Sequence, residues 1–482
     1  MADGEKATLT KAEKIILIAL ILGAFMTSLD ATIVSVAIPT MAQELGEEGH
    51  NTSNISWVLL IYTLMLSCFI LLWSKIGSNI GYKKVFMTGI AVFTLSSLAI
   101  GACGFIPELG LGAIILLRVV QGLGAGMAMA MSLAMTTTYL PASARGASIG
   151  AVTLAASCGT AFGPAVGGIL TTIHWSYIFF INVPIGLICI FLCLRYLRAD
   201  ERLPERKSGL DILGVVFMLM LMFPLIYYLN VGTDIGWTSD EGLLLLMVMF
   251  VGAGMLAWWE SSRAKDPLIS MRLVREPQVT RANIICMILF GAMAGSYLLL
   301  PYYLQFVQGY ETIEYGLILI ANSVGMMASG PVAGRIADRT GNCRIFAVAG
   351  SAICALGFVM MTFFNGDTGL WYILLALFVM GAGIGMAIVG TTNHSFKFIR
   401  PGEEGQLSGL TNTFRQAGSS TGVAVLNAVF MTSIVISAST IPDILVPGFR
   451  HAFFVAVLMA MAGFVVAMTL KDGTSETGTA AE

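Results

Sequence analysis

Long apolar runs recur along the chain from Ile15 to Leu470, and short polar segments separate them. Fourteen of these runs are about twenty residues long, which is the length that an α-helix needs to cross the hydrocarbon core of a bilayer. No segment between them is long enough to form a separate soluble domain. The pattern predicts an all-α membrane protein with fourteen transmembrane helices.

The composition excludes a water-soluble protein. Of the 482 residues, 57% are hydrophobic and 11% are charged, whereas soluble domains carry about 25% charged residues. The net charge of −2 provides no basic excess for nucleic acid, and the sequence has no glycine-rich phosphate-binding loop for a nucleotide. The lipid bilayer is the expected surrounding, with neither nucleic acid nor nucleotide as a partner.

Positive charge is distributed unevenly among the segments that join the runs. With both termini placed in the cytoplasm, all but three of the 26 Lys and Arg residues fall on the cytoplasmic side; the exceptions are Arg118, Arg415 and Arg450. Cytoplasmic segments of membrane proteins accumulate Lys and Arg. The distribution predicts an even number of spans, cytoplasmic termini and a location in the cell membrane.

The sequence contains an internal repeat. The loop SKIGSNIGYKK after the second run resembles GRIADRTGNCR after the tenth, and the segment from Gly122 resembles the segment from Gly381 at a shift of 259 residues. Such a repeat predicts two homologous six-helix bundles in parallel orientation around a substrate site near the midplane. The shift covers eight helices, so two are inserted between the bundles. The expected regions are 1–195 for the first bundle, 196–280 for a linker with two inserted helices, 281–471 for the second bundle and 472–482 for a polar cytoplasmic tail.

Two charged residues lie within predicted spans of the first bundle. A charge at a helix centre costs about 2.5 to 3.5 kcal/mol on insertion scales, so Asp30 and Arg118 are expected to have a function or a partner. Burial favours a neutral acid and a nearby cation favours a charged one, so a small rearrangement can load or release a proton. The structural alternatives are an acid hydrogen-bonded to a neighbouring helix and an arginine bonded to helix carbonyls. Gln121 shares a helix face with Arg118.

Several motifs resemble the major facilitator superfamily, specifically its fourteen-span drug:proton antiporter branch. They are LDATIVSVAIP from Leu29, RVVQGLGAG from Arg118, GTAFGPAVGG from Gly159, HWSYIFFINVPIG from His174 and RQAGSSTG from Arg415. The resemblance implies the major facilitator fold and a monomer that is not an enzyme. It also implies that the protein exports amphipathic small molecules by alternating access, with the proton gradient as energy source and no cofactor.

The resemblance also implies roles for individual residues. Asp30 and Arg118 would move protons. The antiporter motif, Gly159, Gly163, Pro164, Gly167 and Gly168, would form a bundle interface that governs the switch between states. Simple packing of small residues is the alternative for these glycines, although Val423 replaces Pro164 at the equivalent place in the second bundle.

Two loops resemble the gating motif of the superfamily, in which an acid and basic residues tie helix ends together. The second copy is well kept and comprises Gly334, Asp338, Arg339, Gly341 and Arg344. The first copy keeps Gly81, Lys83 and Lys84, but Ser74, Ser78 and Asn79 replace its other members. The charge latch of the first loop is therefore expected to be incomplete.

Polar residues within the fourth span and the later spans are candidates for the substrate cavity. They are Gln121, Tyr297, Tyr302, Tyr303, Asn322, Asn393, Asn412, Arg415 and Gln416. Arg415 either lines the cavity and favours anionic or neutral ligands, or lies near the cytoplasmic end and bonds to helix carbonyls. The eight cysteines form no C-x-x-C pair, so no metal site is expected.

Two other functions fit the sequence. A proton symporter, or an exporter of metabolites or lipids, would share the fold and differ in cargo or direction. A membrane sensor or scaffold that transports nothing is the alternative from another class, although the small loops and the charges of Asp30 and Arg118 disfavour it.

Overall fold

The computed structural model describes residues 9–45, 52–106, 110–141, 144–197, 211–264, 270–400, 403–435 and 441–471, and the regular secondary structure of these residues is helical. The first nine helices are α1 Lys11–Glu44, α2 Thr52–Ile80, α3 Tyr82–Cys103, α4 Gly110–Tyr139, α5 Arg145–Thr171, α6 Tyr177–Phe180, α7 Asn182–Tyr196, α8 Ile212–Ile235 and α9 Asp240–Ser262. The others are α10 Met271–Arg275, α11 Pro277–Tyr302, α12 Thr312–Thr340, α13 Cys343–Met361, α14 Leu370–Phe396, α15 Glu404–Val435 and α16 Ile441–Met468. A π-helical turn, Tyr303–Val307, extends α11.

Thirteen helical segments among the described residues are long and apolar enough to cross a membrane, with α6 and α7 counted as one. The fourteenth predicted span corresponds to α15, which is 32 residues long but more polar than the others. α15 runs beside α11, where Gly418 and Gly422 lie against the backbone of Met287 and Gly291. The predicted fold class, two six-helix bundles with two inserted helices, is confirmed.

The predicted repeat appears in the positions and the packing of the helices. α5 begins at Arg145 and α15 at Glu404, a difference of 259 residues. Each of these helices is lined with glycine and packs against the first helix of its own bundle, α5 against α1 and α15 against α11. The two bundles are therefore built in the same way.

An even number of crossings places the start of α1 and the end of α16 on the same side of the protein, which we call the terminal face. The bundles meet along two seams, one between α5 and α12 and one between α2 and α15. A Cβ atom added to Gly150 would lie 3.0 Å from the carbonyl carbon of Gly330, and one added to Gly316 would lie 2.8 Å from Ala165 Cβ. Gly150 and Ala165 lie near opposite ends of α5, so this seam is closed on both sides of the midplane.

The two inserted helices lie beside the other seam. α8 packs against α9, α2 and α15, and its Tyr227 ring stacks on Trp57 of α2 with ring centres 5.6 Å apart. Little of α9 is buried, as expected for a helix that faces lipid. Much of the linker, 198–210 and 265–269, and the predicted tail, 472–482, lie outside the described residues. The domain bounds stay a prediction.

Candidate functional site

The acid of α1 and the arginine of α4 form a buried ion pair. Asp30 Oδ2 lies 2.5 Å from Arg118 Nη1, and both side chains are fully buried. An isolated charge is costly in such a place, but a charge-assisted hydrogen bond is strong there. Each charge therefore compensates the other.

Three polar side chains complete a network around the pair. Gln121 accepts a hydrogen bond from Arg118 Nη1 at 2.6 Å and donates one to Asp30 Oδ1 at 3.0 Å. Asn182, in the first turn of α7, donates to the same carboxylate oxygen at 2.9 Å. Ser97 Oγ of α3 lies 2.7 Å from Gln121 Nε2. Four helices of the first bundle thus contribute to one carboxylate site.

Aromatic rings and a backbone carbonyl enclose the guanidinium. Arg118 Nε donates to the carbonyl oxygen of Val58 at 2.9 Å, and its guanidinium carbon lies 4.8 Å from the ring centre of Tyr62 and 5.2 Å from that of Phe179. Cation–π contacts of this kind strengthen when water is excluded. The Nη2 atom has no hydrogen-bond partner in the described part of the protein. The N–H groups of Nη2 are therefore available to a new acceptor after a rearrangement.

Asp30 and Arg118 were predicted from the sequence as proton-coupling residues, and the structure places them in direct contact. Gln121 was a candidate for the substrate cavity, but the structure places it in the acid network. Sequence analysis did not identify Ser97, Tyr62 or Asn182. Each is a polar residue within an apolar run, which is a weak signal that many other residues share.

The glycines of the antiporter motif pack against the helix that carries Asp30. A Cβ atom added to Gly159 would clash with the carbonyl oxygen of Phe25, and one added to Gly163 would clash with Thr32 Oγ1. One added to Gly167 would lie 2.8 Å from the carbonyl oxygen of Ile33. The resemblance implied an interface between bundles, but these glycines face α1 within the first bundle. Gly168 follows them as a half-buried residue.

Pro164 has a specific effect on the contact between α5 and α1. Proline has no N–H group, so the carbonyl of Thr160, four residues earlier, loses its helical donor. Thr32 Oγ1 of α1 donates to that carbonyl at 3.1 Å. The proline therefore frees an acceptor that joins the two helices two residues from Asp30.

One basic residue of each gating loop bonds within its own bundle. Lys83 donates to the carbonyl of Leu197 at the end of α7, 2.5 Å away, and Arg344 donates to the carbonyl of Met468 at the end of α16, 3.1 Å away. Carbonyls at a helix C-terminus carry partial negative charge. Lys397 donates to the carbonyl of Gly341, which ends α12 in the left-handed conformation.

The other members of the gating loops are placed as follows. Gly81 has a φ of 110° before α3, a conformation that favours glycine. Gly334 is buried, whereas Lys84 and Arg339 are exposed. The side chain of Asp338 lies outside the described part, so the predicted acid of the latch is not placed.

A ladder of neutral hydrogen bonds joins the bundles in the half of the protein nearer the terminal face. Ser408, Asn412 and Gln416 follow one another at four-residue spacing on α15 and donate to Ala130 O, Met129 O and Ser67 Oγ at 2.8, 3.1 and 3.1 Å. Gly409 lies against the side chain of Ser74, where the first gating motif departs from its pattern. Hydrogen bonds between neutral groups thus help to close the α2–α15 seam near the terminal face.

Removal of two rungs is expected to open the terminal face. Each net hydrogen bond contributes about 0.5 to 1.5 kcal/mol, so the double variant Asn412→Ala/Gln416→Ala is expected to shift the equilibrium about tenfold toward the state open there. Spin labels at the exposed positions Lys84 and Arg339, in a background without native cysteines, report this opening as a longer distance. Thr432→Ala, which removes an exposed hydroxyl near the other end of α15, is the control. An unchanged distance distribution in the double variant would contradict the ladder's role.

The remaining cavity candidates lie at separate places in the second bundle. Asn322 Nδ2 donates to Tyr297 Oη at 2.7 Å, which joins α12 to α11. Tyr302 is half exposed and Tyr303 is buried in the core of the second bundle. Asn393 is buried in α14, and its Nδ2 has no hydrogen-bond partner among the described residues. Asn412 and Gln416 belong to the ladder.

Comparison with known proteins agrees with this architecture. The sequence model of the Major Facilitator Superfamily matches residues 20–423 of the chain. The chain belongs to this superfamily. Among its relatives, multidrug resistance protein Stp of Mycobacterium tuberculosis (strain ATCC 25618 / H37Rv) is 31% identical over 425 residues, which is 87% of this chain and 76% of that protein.

Two further matches extend the comparison. The tetracenomycin C resistance and export protein of Streptomyces glaucescens is 28% identical over 423 residues, 87% of this chain and 76% of that protein. The crystal structure of the human organic anion transporter MFSD10 superposes with a TM-score of 0.62 at 13% identity, over 95% of this chain and 100% of that one, which shows a shared fold. This superfamily member is a multi-pass membrane transporter of small molecules and not an enzyme.

Proposed function

We propose that this transporter is a proton-coupled antiporter of the cell membrane that exports amphipathic drugs or similar small molecules. The observation that carries the proposal is the fully buried Asp30–Arg118 pair with its shell of Gln121, Asn182 and Ser97. The proton gradient is the energy source, and no cofactor takes part. The names of the relatives, which describe drug resistance and export, support the class of substrate.

Proton binding at Asp30 changes the charge balance of the site. A neutral acid no longer compensates the guanidinium of Arg118, and a buried charge without a counter-charge is costly. The pair then separates, or Arg118 turns its unpartnered Nη2 to a new acceptor. Release of the proton restores the pair, so the proton and the arrangement of α1 and α4 depend on each other.

The packing of α5 connects the proton site with the bundle interface. Gly159 and Gly163 hold α5 against the part of α1 around Asp30, and Gly150 holds α5 against Gly330 of α12. A shift of α1 therefore reaches the second bundle through one helix. The α5–α12 seam acts as the pivot, and the ladder on α15 acts as the gate at the terminal face.

Transport by purified protein in proteoliposomes tests the proposal. With an imposed pH gradient and a panel of cationic, neutral and anionic compounds, we expect substrate to move against the direction of proton flow. Movement of both in the same direction would indicate a symporter. Movement of neither a proton nor any solute would support a sensor or scaffold.

The orientation in the membrane has its own test. We predict that the terminal face is cytoplasmic, because Lys and Arg accumulate there. A cysteine at Thr238, exposed between α8 and α9, should be labelled only from outside the cell. Thr238 suits this purpose better than Gly236, whose φ of 85° disfavours a side chain. Labelling of position 238 only from the cytoplasm would contradict the orientation.

A further inference from the structure

The second bundle contains a buried arginine that lies apart from the Asp30 site. Arg415 on α15 is 6% exposed, and its guanidinium carbon lies 5.0 Å from the ring centre of Phe290 on α11. Its Nη2 donates to Thr392 Oγ1 of α14 at 3.2 Å, and Cys286 lies beside it. No described backbone carbonyl accepts a hydrogen bond from Arg415. The structure therefore does not show the alternative considered from the sequence, in which Arg415 bonds to helix carbonyls.

The charge of Arg415 has no counter-charge in the described part of the protein. No described carboxylate forms an ion pair with Arg415, whereas Asp30 pairs with Arg118 and Glu403 pairs with Arg272. The acidic residues of the second bundle lie in loops or near helix ends, at Glu311, Glu314, Asp338, Asp367, Glu403, Glu404 and Asp443. The repeat places Ala156 of the first bundle at the position equivalent to Arg415. The two bundles thus differ in charge at this place.

The donors of Arg415 are incompletely used. A guanidinium carries five N–H groups and no acceptor, and Nε of Arg415 has no hydrogen-bond partner among the described residues. A buried cation without an anion is costly, and a buried donor without an acceptor adds to that cost. A ligand with a negatively charged oxygen would offset both.

The position of Arg415 on α15 suggests that such a ligand reaches it from the terminal face. Asn412 is three residues before it on α15 and belongs to the ladder that closes the terminal face. Residues at this spacing lie on neighbouring parts of a helix surface. We therefore expect a movement of α15 that breaks the ladder to expose the Arg415 side chain toward the terminal face.

We propose that Arg415 binds the acidic group of an amphipathic anion carried by this transporter. The inference rests on the proposed function and specifies one class of its substrates. The guanidinium takes the charged oxygens, Thr392 provides a hydroxyl beside it, and Phe290 provides an aromatic face for the apolar body of the ligand.

Two xanthene dyes of opposite charge test this proposal. Equilibrium binding to the purified full-length protein is measured with fluorescein, an anion, and rhodamine 6G, a cation. Arg415→Gln is expected to weaken fluorescein binding by at least about tenfold, because a hydrogen bond to a charged group is among the stronger polar contacts. Rhodamine 6G binding is expected to stay within about twofold. Arg415→Lys, which keeps the charge without the planar fork, is expected to lie between Gln and the parent.

The control is Arg263→Gln, the same change at an exposed position after α9. If Arg415→Gln weakened the binding of both dyes equally, with the melting temperature unchanged, the proposal would be overturned and a gating role for Arg415 would remain. Failure of the parent protein to bind fluorescein would overturn it as well. Equilibrium binding does not depend on a proton gradient. Absence of proton-driven transport would therefore contradict the proposed function, whereas the binding measurements alone decide the role of Arg415.

Discussion

Asp30→Asn is expected to reduce proton-driven transport to the level of liposomes without protein. The amide has nearly the same volume as the acid, and its oxygen can still accept hydrogen bonds from Gln121 and Asn182, so the fold is expected to persist. Its NH2 group then faces Arg118 and cannot accept the hydrogen bond that Oδ2 accepts in the parent protein. The amide can neither bind a proton nor compensate the charge of Arg118. The change therefore separates the titrating function of Asp30 from its packing.

Two assays on the same proteoliposomes measure this effect. Uphill movement of rhodamine 6G under a pH gradient should vanish, whereas exchange of labelled for unlabelled dye without a gradient should remain. Asp240→Asn, at an exposed position in the first turn of α9, is the matched control and should transport normally. Asp30→Glu is expected to retain part of the uphill activity. Full uphill transport by Asp30→Asn would place the proton site elsewhere.

Gly163→Leu is expected to block transport almost completely while surface expression remains. A Cβ atom at this position already clashes with Thr32 Oγ1 and lies 3.0 Å from the backbone nitrogen of Ile33. The larger side chain forces α1 away from α5, and such overpacking typically costs about 1 to 3 kcal/mol. The displaced α1 carries Asp30, so the ion pair with Arg118 loses its geometry.

The control for this variant is a glycine with space around it. No atom lies within 4 Å of a Cβ added to Gly254, which is on the sparsely buried helix α9. Gly254→Leu is expected to leave uphill dye transport unchanged and to preserve the melting temperature. Normal transport by Gly163→Leu would show that the contact between α1 and α5 has no part in switching.

The sequence was sufficient for the spans and the repeat because the bilayer constrains them strongly. A segment that crosses the hydrocarbon core must be long and apolar, and a charge within it is rare enough to be informative. Asp30 and Arg118 were identified for this reason, and the structure shows them in contact, while their role in proton coupling stays a prediction. α15 shows the limit of this reasoning, since its polar residues lower its hydropathy although its length and packing match those of a span.

The tertiary structure decided which side chains meet. Helical spacing indicates which residues share a face, but it does not show which neighbour that face contacts. Gln121 therefore seemed suited to a substrate cavity, and only the packing of α4 on α1 and α3 places it against Asp30 and Ser97. The glycine stripe of α5 likewise fits either bundle by spacing alone, and its contacts with Phe25 and Thr32 assign it to α1.

The ladder on α15 and the partners of Asp30 depend on residues far apart in sequence. Asn182 is 152 residues from Asp30, and Gln416 is 349 residues from Ser67. Neither pair has a local signature, because hydrogen bonds between helices depend on the rotation and depth of each helix in the bundle. The sequence by itself determined the membrane architecture and the charges that the bilayer makes costly. Only the folded bundles decided which groups compensate those charges and which, like Arg415, have no counter-charge among the described residues.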